Sequence, residues 1–221
     1  MTFKNQKILL ITHQGILGGA ERQALGLSKI LTEDHNCEVY MLLTFSENCT
    51  NDFREFAMAC KVKEILFVEK PYFLCKKEVT IKNIKRLYWS LKYLLHLRSR
   101  LTPYEIDVII PFLNFPSKIA FFLKLLLPSV KYTFWHQLGL DSWSKDLLED
   151  IAVRNTKCII ANAPNGIEIF KKRNSGSRAA KYYILPQYVS IPFKNLDSEE
   201  IKQRLGIAPN HLVIGMIAHF R

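Results

Sequence analysis

Residues 7–31 read KILLITHQGILGGAERQALGLSKIL, and the order of residue types in this stretch decides the fold. The apolar run from Ile8 to Ile11 has the form of a buried strand. Gly15, Gly18 and Gly19 follow, and then Ala20, Ala24, Leu27 and Leu31 recur at helical spacing. The stretch therefore predicts a strand, a glycine turn and a helix. Glycines let the backbone approach a ligand closely, and a helix start presents unpaired N–H groups that favour anions such as phosphate. The same turn also forms for packing alone, and the residues by themselves do not separate the two readings.

Working outward, the pattern repeats. Further strands are predicted at 38–44, 64–68, 106–111, 130–134, 157–161 and 182–186. Helices are predicted at 53–60 with Asp52 as cap, and at 78–101, 116–127, 143–153 and 166–173. The strand at 106–111 is continuous and apolar, as strands buried on both faces are. Residues 135–143, WHQLGLDSW, read as a loop after the 130–134 strand, crowded with Trp135, His136, Gln137, Asp141 and Trp143. In open α/β sheets ligands bind at that carboxyl end. After the connector QYVSIPFKNLD, a helix capped by Asp197 or Ser198 and stopped by Gly206 leads to a fresh strand at 212–218. The alternation predicts an α/β fold, a Rossmann-like doubly wound parallel sheet with right-handed crossovers. The last strand reads as the start of a second domain.

The helix at 78–101 has two characters. Ile81, Ile84, Leu87, Leu91, Leu94 and Leu95 form an apolar side, expected on the domain core. Lys76, Lys77, Lys82, Lys85, Arg86, Lys92, Arg98 and Arg100, with Trp89 and Tyr93 among them, form a basic side, expected to be an ordinary solvated face. The same residues would also suit a helix lying on an anionic membrane surface.

Composition narrows the function classes. With 48% hydrophobic residues over 221 positions the chain can bury a real core, which argues against disorder. The charge of +11, from 31 basic and 20 acidic residues, points to an anionic partner: a nucleotide, a phosphate or a lipid surface. The basic residues are dispersed over several helices and match no nucleic-acid reading motif, so no nucleic acid is expected. Cys37, Cys49, Cys60, Cys75 and Cys158 form no C-x-x-C pair, and their odd number reads as reduced packing thiols of a cytoplasmic protein. No metal-ligand spacing occurs among Cys and His, and no metal is expected. The greasiest segment, 119–127, is far shorter than the roughly 20 residues that span a bilayer. The N-terminal apolar run continues as a core strand, which argues against a cleaved signal peptide. A nicotinamide-dependent oxidoreductase would share the sheet, but G-x-G-x-x-G is missing after the first strand and Glu47 lies in a polar loop.

Five stretches, taken in order, carry a resemblance: GGAERQ opening the first helix, WHQ at 135–137, IIANAPNGIEIFKK at 159–172, ILPQYVSIPF at 184–193 and KQRLGIAPNHLVIGMIAHF at 202–220. Together the chain resembles a retaining GT-B glycosyltransferase of the large glycogen-synthase-like group. The resemblance implies two Rossmann-like domains facing a cleft. Residues 1–190 would form the N-terminal, acceptor-side domain, and 191–221 a linker and the start of an incomplete C-terminal, donor-binding domain.

The substrate implied is a nucleotide sugar, with a glycan or lipid-linked acceptor from surface polysaccharide synthesis. Such an enzyme needs no cofactor, and would be cytoplasmic or peripheral at the inner face of the membrane. By the same resemblance Gly18 and Gly19 match the loop that approaches the donor's phosphates and sugar, and Glu21 and Arg22 continue it. His136 matches the histidine at the reaction centre. From position rather than resemblance, His13, just after the first strand, and Asp141, in the 135–143 loop, are further residues for the cleft. The basic pair and the acidic pair of the family's second domain are not complete here, and His219 or Arg221 stands where the first phosphate-binding residue belongs. A chain ending there would not complete a donor site alone. The other reading is a non-catalytic module that binds acceptor or an anionic membrane surface.

Overall fold

The computed structural model describes residues 4–67, 75–137, 146–173, 180–186, 197–208 and 210–211. The chain divides into two compact units, Met1–Val189 and Ser190–Arg221. In chain order the first unit contains β1 (Lys7–Gly15), α1 (Gly19–Glu33), β2 (Glu38–Cys49), α2 (Asn51–Ala59), β3 (Glu64–Phe67) and α3 (Ile81–Leu101). A 3-10 turn at Thr102–Tyr104 leads to β4 (Val108–Pro111), α4 (Asn114–Leu126), β5 (Tyr132–Thr133), β6 (Trp135–Gln137), α5 (Leu147–Asn155), β7 (Cys158–Ala161), α6 (Pro164–Arg173) and β8 (Lys181–Ile184). In the second unit α7 (Ser198–Arg204) is capped by the Asp197 carboxylate, which accepts the Glu199 N–H at 3.0 Å, and Gly206 follows at φ +68°. The strand expected at 212–218 and the connector at 187–196 lie outside the described residues.

Five strands pair in the order β3-β2-β1-β4-β5, all parallel. The reason lies in β1, where Ile8, Leu9, Leu10 and Ile11 are fully buried. Period-two alternation sends Ile8 and Leu10 to one face with Ala24, Leu25, Phe53 and Ala57, and sends Leu9 and Ile11 to the other with Leu94, Leu97, Ile119 and Leu123. Helices α1 and α2 thus cover one face, α3 and α4 the other. Each such side chain taken from water contributes about 1.5–3 kcal/mol before chain entropy is subtracted.

The chain leaves this sheet within one short stretch. Tyr132 and Thr133 pair with β4, while Trp135, His136 and Gln137 pair with β7 in a second parallel ladder, β6-β7-β8. Trp135 is the fully buried centre of that ladder's own core, with Ala152, Val153, Ile159 and Phe170. This corrects two expectations. WHQ is strand, not the loop after one, because Trp135, His136 and Gln137 pair with Ile159, Ile160 and Ala161 of β7 and all three are buried. His13 lies inside β1, which runs on to Gly15.

Two further expectations shift. Thr50, not Asp52, caps α2, its Oγ1 accepting the Phe53 N–H at 3.3 Å. The side of α3 that meets the core is Asn83, Ser90, Tyr93, Leu94, Leu97 and Leu101, while Ile81, Ile84, Leu87, Leu91 and Leu95 are exposed. Apolar counting chose the wrong arc because two core-facing positions are polar and satisfied locally: Ser90 Oγ donates to Arg86 O at 2.8 Å, and Asn83 Nδ2 to Glu78 O at 2.6 Å. No helix among the described residues is long and apolar enough to cross a membrane.

Gly15 shows how tightly the end of β1 is held. A Cβ there would stand 2.8 Å from Cys49 Sγ, 2.9 Å from Leu43 Cδ1 and 3.0 Å from the Cys49 Cα. One of those atoms belongs to the backbone and cannot rotate away. Gly15→Ala is expected to destabilise the domain by about 1–3 kcal/mol, read as a lowered urea midpoint at unchanged m. Gly19→Ala, with nothing within 4 Å, is expected to leave the midpoint close to wild type.

Candidate functional site

All strands of the first sheet being parallel, their carboxyl ends share one edge, and the first turns of α4 gather the polar residues there. His13 of β1 sits beside Thr44 of β2. The Thr44 hydroxyl has one proton and two carbonyls in reach, Thr12 O at 3.3 Å and His13 O at 3.1 Å, so it accepts from His13 Nδ1 at 3.1 Å. The His13 ring meets Phe115 edge-on at 5.4 Å, and burial lowers its pKa.

His136 is held more firmly. It is buried, its Nδ1 lies 3.2 Å from Pro111 O, and its N–H donates to Ser117 Oγ at 3.0 Å. Ser117 Oγ in turn donates to Leu113 O at 2.8 Å. A carbonyl only accepts, so Nδ1 carries the proton. Phe112 and Phe134 meet the ring edge-on, at 5.2 and 6.1 Å. Desolvation drives the pKa down to about 4, against the small opposing pull of the Pro111 carbonyl. At neutral pH His136 is an uncharged imidazole in a single tautomer, with its Nε2 lone pair as an acceptor. Leu113, which the Ser117 hydroxyl reads, is itself strained at φ +77°, a left-handed value that a leucine rarely adopts.

The next turn of α4 carries a buried ion pair. Lys118 Nζ donates to the Asp146 carboxylate, both side chains being only 2% exposed, and lies 5.0 Å over the Phe115 ring. Asp146 Oδ1 also caps α5, accepting the N–H groups of Leu148 at 3.0 Å and Glu149 at 3.3 Å. Burial pulls the Lys118 ammonium below its ordinary pKa, and Asp146 opposes this. Nothing in the sequence announced the pair. Its members are 28 positions apart, and a lone lysine at the head of an apolar helix was the single available sign.

The glycine turn lies at the start of α1, with Gly18 as N-cap in extended backbone. Glu21 is buried and its carboxylate turns back toward the Gly18 turn, whose Gly18 N–H donates to Ile16 O at 2.7 Å. Burial raises its pKa, and the nearby backbone N–H groups of Glu21 and Gly18 partly offset the rise. A Cβ on Gly18 would stand 2.7 Å from Glu21 Oε2, the mobile end of that side chain. The Gly18 N–H, a donor expected to face phosphate, is thus committed to the Ile16 carbonyl. Gly19 is exposed and open. Arg22 is exposed, its guanidinium 5.9 Å over the Phe56 ring of α2. Asp141, His219 and Arg221 lie outside the described residues. Among the described residues, no three His, Cys, Asp or Glu side chains come together as metal ligands would.

No family model matches the sequence, and no curated protein does. Solved structures do. The Anabaena Alr3699/HepE protein in complex with UDP aligns with a TM-score of 0.62 at 15% identity, covering 90% of this chain and 50% of that one. The same protein with UDP and glucose aligns at 0.60 and 14% identity, covering 91% and 50%. The lipopolysaccharide outer core galactosyltransferase WaaB, without ligand, aligns at 0.53 and 14%, covering 81% and 45%. The chain spans about half the length of these structures. At such identities the likeness defines the fold: a Rossmann-like α/β half of the GT-B architecture.

Two outcomes follow from the site. The folded pKa of His136 lies below the 6.5 of an unfolded histidine, so between those values the unfolded chain binds more protons. Its contribution is present above pH 6.5 and is lost as pH falls toward 4, by up to roughly 3 kcal/mol. His136→Asn, which can keep a donor to Pro111 O, is expected to flatten that part of the stability profile in urea melts at stepped pH. Lys118→Met leaves the Asp146 carboxylate buried without its partner and is expected to cost about 3–5 kcal/mol. The double variant Lys118→Met with Asp146→Asn is expected to recover part of that in the same melts.

Proposed function

We propose that the chain is the acceptor-side half of a glycosyltransferase that moves a sugar from a nucleotide-sugar donor to a glycan or lipid-linked acceptor. The observation that carries the reading is the neutral, single-tautomer His136 at the carboxyl edge of a sheet whose fold matches a protein solved with UDP. A retaining, glycogen-synthase-like subtype and a role in surface polysaccharide synthesis rest on the sequence resemblance alone.

Departure of a nucleoside diphosphate leaves positive character on the anomeric carbon. A charged imidazolium beside it would raise the barrier, whereas a buried neutral imidazole does not. With Nδ1–H fixed on Pro111 O, Nε2 accepts a hydrogen bond from a donor-sugar hydroxyl and orients it. The geometry gives His136 no proton to donate from Nε2 at neutral pH. Gly19 and the start of α1 approach the donor's phosphates, and Glu21 keeps that turn in shape. The second half of the donor site is supplied by further protein.

The test uses the complete coding frame that contains these residues, incubated with a panel of radiolabelled nucleotide sugars and a membrane-lipid extract. Label is expected in the lipid or glycan fraction for at least one sugar, falling on the order of a hundredfold in His136→Ala with the circular dichroism spectrum kept. Calorimetry that shows no binding of any nucleotide sugar overturns the reading.

A further inference from the structure

Helix α3 carries an apolar line that lies outside the core formed by the described residues. Ile81, Ile84, Tyr88, Leu91 and Leu95 follow one another at spacings of three and four, so they run along a single stripe, and all are exposed. The core-facing arc of the same helix lies on the opposite side, with Ser90 1% and Leu97 1% exposed. A contiguous apolar stripe on a protein surface marks a contact with something else.

The charge around the stripe identifies the partner. Ile81–Leu101 contains six Lys and Arg residues and no Asp or Glu. Lys85 and Lys92 border the stripe on one side, Lys82 and Trp89 lie next to them, and Arg98 lies on the other side. All are exposed. Lys92 Nζ stands 5.1 Å over the Trp89 ring, and Trp89 meets Tyr88 edge-on at 5.6 Å. An apolar line flanked by cations, with two amphipathic rings beside it, complements a bilayer surface: acyl chains receive the line and anionic headgroups receive the cations. A second copy of the chain would bring like charges against like. We propose that α3 docks this protein flat on an anionic lipid membrane.

The fold places that face usefully. A crossover helix between parallel strands runs antiparallel to them, so the N-terminal turns of α3 lie toward the carboxyl edge that carries His13 and His136. The helix is about 31 Å long and β3 only about 13 Å. The C-terminal end of α3 is tied to β3, Arg100 donating to Phe67 O at 2.9 Å, and Tyr104 beyond it donating to Glu64 at 3.0 Å. The entry to α3 is tied to the start of α5, Leu147 N donating to Cys75 O at 2.7 Å and the backbones of Lys76 and Asp146 forming an isolated antiparallel bridge. A docked α3 therefore lays the strands along the membrane plane, with the N-terminal turns of the helix reaching past the site edge. The docking itself does not depend on the glycosyl-transfer reading.

The experiment is co-sedimentation of the full chain with phosphatidylcholine vesicles, with and without added phosphatidylglycerol, at low and raised salt. Binding is expected to the anionic vesicles alone, to fall at raised salt, and to shift Trp fluorescence to the blue. Lys82→Gln with Lys85→Gln and Lys92→Gln is expected to weaken it on the order of a hundredfold. Ile84→Glu with Leu91→Glu, both at exposed positions, is expected to weaken it at least about tenfold with an unchanged thermal melt. Three results overturn the proposal: no vesicle binding by the wild type, equal binding by wild type and the Ile84→Glu/Leu91→Glu variant, or a dimer in light scattering that this variant dissolves. The last would assign the stripe to a second copy.

Discussion

The constraint on which the rest depends is the burial of β1 on both faces. A strand whose Ile8, Leu9, Leu10 and Ile11 are all shut from water needs helices above and below, and its neighbours β2 and β4 must run parallel to admit the crossovers. Parallel strands end together. That single consequence brings His13, Thr44, Pro111 and the first turns of α4 to one edge, although they are spread over a hundred residues of chain.

At that edge the chemistry is set by what the backbone offers rather than by side-chain charge. The Pro111 carbonyl fixes one tautomer of His136, and the Thr44 hydroxyl, committed to carbonyls, fixes the bonding of His13. Ser117 connects His136 to a strained Leu113, and the neighbouring Lys118 connects α4 to the cap of α5. Both histidines sit low in pKa because their rings are desolvated, so the edge presents neutral acceptors at physiological pH. Of the acidic groups nearby, Asp146 is paired with Lys118, and Glu21 is buried against the α1 turn with its pKa raised by desolvation.

The sequence carried the alternation of strands and helices because apolar period and glycine position report burial directly. It carried the turn between β1 and α1 for the same reason. It misplaced residues 135–137 as loop, since three residues paired to a strand more than twenty positions away leave no periodic mark. It missed Lys118 and Asp146, because no local pattern encodes an ion pair formed across 28 positions.

Helix α3 separates the two kinds of information most clearly. Its amphipathic period and its excess of cations were written in the sequence, and so was the helix itself. Which arc faces the core was not. The Ser90 and Asn83 side chains bond within their own turn and entry segment, which makes them tolerable inside, and Leu97 and Leu101 complete that arc against the sheet. The sequence by itself determined the Rossmann-like order of elements, through burial periodicity. The tertiary structure alone decided that Ile84, Tyr88 and Leu91 face water and that His136 is a buried, neutral strand residue, because exposure and desolvation are properties of what packs around a side chain.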